Sequence, residues 1–352
     1  MRYKIHPILL VVLAFAVLLS AQAFAGNKDK VGTVAAPELL IPVGARDMSM
    51  GGSTLANTSG IEAMYWNPAG LAYAERGAVA MFSHLTYIGD IGVNYVAVAG
   101  TFGNFGTIGF DLKGLSIGDI PVTTEDFPDG TGGFVSPTFF TVGLHYSRML
   151  SDRVSVGVTA NFINEDLSEA RVQATGFAFS AGVQYRNLGG IGGLDLGVAV
   201  KNVGPQMRFE GSGLLRGAEL DDVTRGTGLV QILAQSSELP STIEIGLAYT
   251  VNTGENNSLM LTGLFQNQNF SADQFKLGAE FEFNDLLYLR GGYVVAPDAD
   301  QKALGNNAFI FGPSFGVGFN LDIGGVNVSA DYGWRQSKFF ENQNAFSIKL
   351  GF

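Results

Sequence analysis

Few residues of this sequence are equipped for chemistry. Beyond residue 25 there are two histidines, His84 and His145, and the chain has no cysteine. Thiolate metal sites and a disulfide framework are therefore excluded. His145 alternates with Thr141, Gly143 and Ser147, the spacing of one polar strand face, and no nearby spacing marks a Ser/His/acid nucleophile. It reads as a polar interior residue, and no catalytic residue, metal site or cofactor is expected. The run 118–136 holds Asp119, Glu125, Asp126 and Asp129 with no Lys or Arg. It lacks the ligand order of a calcium-binding EF-hand and reads as a solvated acidic loop. A third set is dispersed: Glu244, Lys276, Glu280, Glu282, Arg290, Asp331, Arg335 and Lys349. Each sits at a polar position of an alternating segment. Mixed signs on one interior predict a salt-bridged or wetted lumen rather than a single-sign ion filter.

The segments that carry these residues alternate with period two from about residue 78 to the end. Val326, Val328, Ala330, Tyr332 and Trp334 interleave with Asn327, Ser329, Asp331, Gly333 and Arg335. Alternate side chains of a strand point to opposite faces, so each segment has one apolar and one polar or small face. Fourteen strands are predicted: 78–87, 92–102, 105–117, 137–150, 153–165, 171–186, 191–203, 240–251, 257–267, 273–283, 286–296, 308–321, 326–336 and 344–352. Most reach the ~9–11 residues that a tilted strand needs to cross hydrocarbon. Soluble strands are nearer 5–6 residues. The connections alternate too. Tight turns at 103–104, 151–152, 187–190, 252–256, 284–285 and 322–325 interleave with longer ones, including 118–136 and 204–239. Short turns at one rim and long loops at the other are the mark of an all-β, antiparallel outer-membrane barrel.

Composition agrees. Charged residues are 15% of the chain against ~25% in soluble domains, and glycine numbers 48. After residue 25 no apolar run approaches the ~18 residues of a spanning helix, which excludes a helical membrane protein. The first 25 residues read as a signal peptide: basic Arg2 and Lys4, apolar Ile8–Leu19, then Ala23-Phe24-Ala25. Losing those two cations takes the formal net charge from −11 to −13. So acidic a chain is no partner for nucleic acid.

Residues 26–77 do not alternate and read as a compact N-terminal hatch ahead of the barrel, residues 78–352. Ser59-Gly-Ile-Glu62 has capping-box spacing, predicting a helix that starts after Ser59 and ends near Asn67, ahead of Pro68. Gly51-Gly52 predicts a tight turn or a close backbone approach. The lumen is favoured over the periplasm as the place of this segment. The span 44–72, GARDMSMGGSTLANTSGIEAMYWNPAGLA, resembles the N-terminal signature of the PorV/PorQ family of outer-membrane proteins. Its Asn67-Pro68-Ala69-Gly70-Leu71 element is similar to the NPA motif of FadL-type transporters. The resemblance covers about thirty residues and makes Gly44, Arg46, Met50, Gly51, Gly52, Trp66, Asn67, Pro68 and Gly70 the candidate hatch motif, structural first and open to a ligand contact. It implies a FadL-like barrel. From the PorV/PorQ side it implies a partner or carrier in type IX secretion. From the FadL side it implies passive passage of a hydrophobic ligand and a side opening, near strand three.

Two further features complete the expectation. The long loop 204–239 contains the apolar run 228–235, readable as a short helical lid, a ligand-catching surface or a partner docking site. The chain closes on Phe346, Ile348, Leu350 and Phe352, alternating down to a terminal aromatic, which resembles the signal that barrel-assembly machinery reads during insertion. The expected surroundings are outer-membrane lipid, that machinery, and secretion-system proteins or a hydrophobic ligand. Both termini of the mature chain are expected in the periplasm.

Overall fold

The computed structural model describes residues 32–74, 76–218, 228–297 and 309–352. The expected signal peptide, and residues 26–31 of the expected hatch, lie outside the described residues. Fourteen strands form the barrel: β1 (Ala78–Thr86), β2 (Gly92–Thr101), β3 (Thr107–Ser116), β4 (Thr138–Met149), β5 (Val154–Leu167), β6 (Val172–Tyr185), β7 (Leu194–Val203), β8 (Thr242–Asn252), β9 (Asn257–Gln268), β10 (Gln274–Phe283), β11 (Leu287–Val295), β12 (Phe311–Ile323), β13 (Val326–Ser337) and β14 (Gln343–Gly351). All pairings are antiparallel, and β14 pairs with β1 from Val79↔Gly351 to Thr86↔Asn344, closing the sheet. Closure removes the sheet edges, which lipid cannot hydrate. The predicted strands and the structure agree to within a few residues at each end.

The alternation places side chains as expected. Along β11 and β12, Leu289, Tyr293, Phe315 and Phe319 face outward and are exposed, whereas Arg290 and Ser314 are buried inside. β3 is paired along its whole length, with β2 and with β4, so no side opening lies there. The seam between β11 and β12 is shorter, running only from Leu287↔Phe319 to Gly292↔Ser314. Pro313 lacks the N–H a ladder needs, and the β12–β13 register shifts between Phe311 and Ser314. The two outer strand ends therefore diverge. At the long-loop rim, Ile120–Pro121 pairs with Phe134–Val135, and Leu215–Ala218 pairs with Gly228–Gln231. The helical option for 228–235 is thereby corrected. Leu229, Ile232 and Leu233 stand exposed on an extended hairpin, because Val, Leu and Gln here find ladder partners in the same loop.

Residues 32–74 run through the lumen as short helical pieces: α1 (Ala45–Ser49), α2 (Ala63–Trp66), and 3-10 turns at Pro37–Leu40, Gly60–Glu62 and Pro68–Tyr73. The chain enters helical geometry after Gly60, whose own φ is +65°, and leaves it after Trp66, where Asn67 is extended (φ −155°, ψ 105°) ahead of Pro68. The expected capping box does not form. Ser59 makes no side-chain cap bond, and the Glu62 carboxylate is taken by Lys349 instead. The C-terminus lies at the short-turn rim, where Phe352 and Ala78 exchange backbone hydrogen bonds. The N-terminus of the mature chain lies outside the described residues. Ala35 donates to the Glu238 carbonyl at 2.9 Å, so the segment starts at the long-loop mouth and descends to the short-turn rim.

Candidate functional site

The glycines of the barrel wall determine how the lumenal segment seats. A Cβ at Gly157 would collide with Pro68, at Gly182 with Asn67, at Gly197 with Leu55 and at Gly292 with Met50. These inward positions leave the lumen free where the segment's backbone lies against the wall. Asn67 is buried and fully used: its Nδ2 donates to Leu55 O (2.9 Å) and Val183 O (3.2 Å), and its Oδ1 accepts from Ala69 N (3.2 Å). It thus caps the turn at Pro68–Tyr73 while fastening it to β6. Gly70 packs on Thr58 and Ala63, with no space for a side chain.

Gly51 and Gly52 satisfy both expectations at once. Their φ values are +68° and +71°, and a Cβ on Gly52 would strike the Trp66 ring. Trp66 donates its indole N–H to Val43 O at 3.1 Å. Gly44 opens α1 with φ +81° and donates to Ser83 Oγ at 3.2 Å. So Gly52 and Trp66 meet in one contact, Met50 and Gly51 seat on β11, and Asn67 and Pro68 seat on β5 and β6. Arg46 stands apart from all of these.

Arg46 belongs to a closed ring of six alternating charges. It meets Glu280 at 3.0 Å, which meets Arg290 at 2.5 Å, which meets Asp331 at 2.6 Å. Asp331 meets Lys349 at 3.4 Å, Lys349 meets Glu62 at 3.0 Å, and Glu62 returns to Arg46 at 3.9 Å. Two members come from the lumenal segment and four from β10, β11, β13 and β14. Burial works against the Arg46 charge, but Glu280, Asp47 and Glu62 more than offset it and hold its pKa well above the ordinary value. Asp47, buried beside Arg46, is pushed up to about 6 by burial and by Glu62. Glu62 and Asp47 were not among the expected site residues; the only signal for them was a carboxylate inside an otherwise apolar stretch.

Other lumenal polar groups differ in how far they are engaged. Lys113 donates to the carbonyls of Glu38 and Ile41, both at 2.6 Å. Lys201 meets Glu244 at 3.5 Å and lies over the Tyr65 ring. Glu38 is buried with neither carboxyl oxygen hydrogen-bonded; burial first, then repulsion from Glu165, pushes its pKa up to about 8. His145 is buried between Asp111 and Thr159 Oγ1. The void beside it is only about 40 Å³. Among the described residues no group of three His, Cys, Asp or Glu side chains is placed to hold a metal ion.

Two larger cavities flank the segment. One of about 370 Å³ opens at the long-loop side, lined by Leu39, Tyr87, Lys276, Val294, Phe309 and Arg335 among others. The other, also about 370 Å³, opens at the short-turn side and is lined by Arg46, Glu62, Glu282, Tyr288, Asp331 and Lys349 among others. The two have no lining residue in common, and α1, Gly52 and Trp66 stand between them. At the C-terminus, Phe346, Ile348 and Phe352 are exposed to the lipid side and Leu350 half-exposed, with Ser347 and Lys349 pointing inward.

Comparison with known proteins places this geometry. The family described as Type IX secretion system protein PorV matches residues 24–253, a span that takes in the lumenal segment and reaches just beyond β8. No curated protein sequence matches the chain. Among solved structures, the Pseudomonas putida toluene transporter TodX is similar at TM-score 0.54 and 13% identity, covering 88% of this chain and 97% of its own. A Pseudomonas aeruginosa FadL homologue is similar at TM-score 0.51 and 12% identity, covering 88% and 98%. These likenesses are of fold.

Proposed function

Because the chain belongs to the PorV family of type IX secretion system proteins, we propose that this outer-membrane barrel serves protein secretion as a non-enzymatic partner or carrier. The family match carries the reading, since it includes the lumenal segment as well as the first eight strands. The occluded lumen supports it. A segment fastened by a ring of charges and by Asn67 suits a scaffold better than an open pore. A non-enzymatic role is supported by the enclosure of His145 in a void too small for a substrate. On this reading residues 32–74 act as the hatch, and Gly44, Arg46, Met50, Gly51, Gly52, Trp66, Asn67, Pro68 and Gly70 hold its shape rather than a ligand. Affinity isolation of tagged protein from native outer membranes tests the role. Secretion-system components should co-purify, and deletion should trap exported proteins inside the cell; neither effect would be seen for an unrelated barrel.

One observation favours the second reading, passive passage of a hydrophobic small molecule. The long-loop cavity reaches the diverging ends of β11 and β12 through Val294, Phe309 and Phe311. Residues 298–308, which join those strands, lie outside the described residues. Uptake assays on reconstituted vesicles with toluene and a long-chain alkane would separate this reading from the first.

A further inference from the structure

The cavity at the short-turn mouth carries more hydrogen-bond acceptors than its own donors satisfy. Six of its charges cancel within the ring of Arg46, Glu280, Arg290, Asp331, Lys349 and Glu62. Arg76, at its rim, is held by Asp322 at 2.6 Å. Glu282 is left over. Its carboxylate accepts from Ser258 Oγ at 2.7 Å and Tyr288 Oη at 2.8 Å, both neutral, and none of the ion pairs among the described residues includes it.

The unmatched polar atoms of the buried groups facing this cavity are all oxygens. Glu62 Oε1 and Asn57 Oδ1 receive no hydrogen bond, and Asp331 Oδ2 receives none beyond its 3.4 Å contact with the Lys349 ammonium. Glu62 and Asp331 are 4% and 6% exposed, so neither carboxylate can turn to bulk water. These enclosed oxygens keep the potential at the cavity wall negative, which favours a cation beside Glu282. A guanidinium brings five N–H groups in one plane together with the missing positive charge. An ammonium brings three.

We propose that this cavity is a receptor for a guanidinium group arriving from the short-turn side, with Glu282 as its counter-ion and the hydroxyl oxygens of Ser258 and Tyr288, whose protons are given to Glu282, as further acceptors. Isothermal titration of the full mature protein in detergent micelles, at low salt, tests it with agmatine as the probe. The expected result is saturable one-to-one binding, weakened about tenfold or more in Glu282→Gln. Glu125→Gln, in the acidic outer loop, leaves binding unchanged, and the neutral isostere pentylurea does not bind. Ser258→Lys gives Glu282 a resident ammonium and blocks agmatine, which keeps the test open should Glu282→Gln fold poorly. An arginine tripeptide binding more tightly than agmatine identifies a polypeptide source, and the reverse order a free small cation. No binding at millimolar agmatine, equal binding by Glu282→Gln, or equal binding of pentylurea overturns the proposal.

Discussion

The carboxamide of Asn67 stands directly against Gly182 of β6, in the space that any side chain at 182 would fill. That contact joins the lumenal segment to the wall at backbone distance, so volume at 182 must displace Asn67 or bend β6. Gly182→Ala is expected to lower stability by about 1–3 kcal/mol, the usual cost of overpacking a filled interior. The measurement is the temperature at which the folded band converts on heat-modifiability gels. Gly114→Ala is the control, since a Cβ there meets open space and should leave the transition where it is.

The ring predicts non-additivity. Arg46→Met leaves Glu280 and Glu62 without one of their cations in a buried setting, and breaking such a pair typically costs about 3–5 kcal/mol. Glu280→Met alone should cost a similar amount by stranding Arg290 and Arg46. The double variant should be milder than the sum, with a coupling of about 1–3 kcal/mol in a denaturant double-mutant cycle. Strict additivity would mean that the six charges act independently. Because the ring is buried, raising the salt concentration should change these differences little.

The strands were legible in the sequence and the ring was not, for a physical reason. Val326 to Arg335 alternate with a period that any strand must show, and turn length then orders the strands. Glu280, Arg290, Asp331 and Lys349 could each be assigned to the inward face in the same way. Their closure into a ring depends on the register between β10 and β14 and on where Arg46 and Glu62 descend, neither of which leaves a local pattern. Ser59 and Glu62 illustrate the limit. Their spacing is that of a capping box, but a tertiary ion pair to Lys349 outcompetes the local bond.

The contribution of Glu38 to stability should fall as pH rises across the neutral range. Its pKa in the folded chain is about 8 against an ordinary 4.5, so folding takes up a proton between those values. Below about pH 4.5 both states hold that proton and Glu38 contributes no penalty. From there to about pH 8 the unfolded chain ionises while the folded chain does not, and the penalty grows; above about pH 8 it is constant. Asp47, raised to about 6, adds the same sign over a narrower and more acidic window. Glu38→Gln should therefore match the parent protein at about pH 4 and exceed its denaturation midpoint increasingly toward about pH 8. A difference that shrinks with rising pH would show that Glu38 is ionised in the folded barrel.

A recognition role of the aromatic ring of Phe352 is separable from a merely structural one. Phe352 closes the β14–β1 seam through its backbone, donating to Ala78 O at 2.8 Å, while its ring stays exposed on the lipid side. Phe352→Ala keeps the backbone bonds and removes only the ring. If the ring is read by the assembly machinery, the inserted, heat-modifiable fraction should fall several-fold in growing cells, with unfolded protein accumulating in the periplasm. The molecules that do insert should then melt like the parent, because a lipid-facing ring contributes little to internal packing. Truncation of residue 352 removes the backbone bonds as well and should additionally lower the melting transition, by about 1 kcal/mol for each lost bond. A Phe352→Ala barrel inserted at full yield but with a lowered transition would assign the ring to stability instead of recognition.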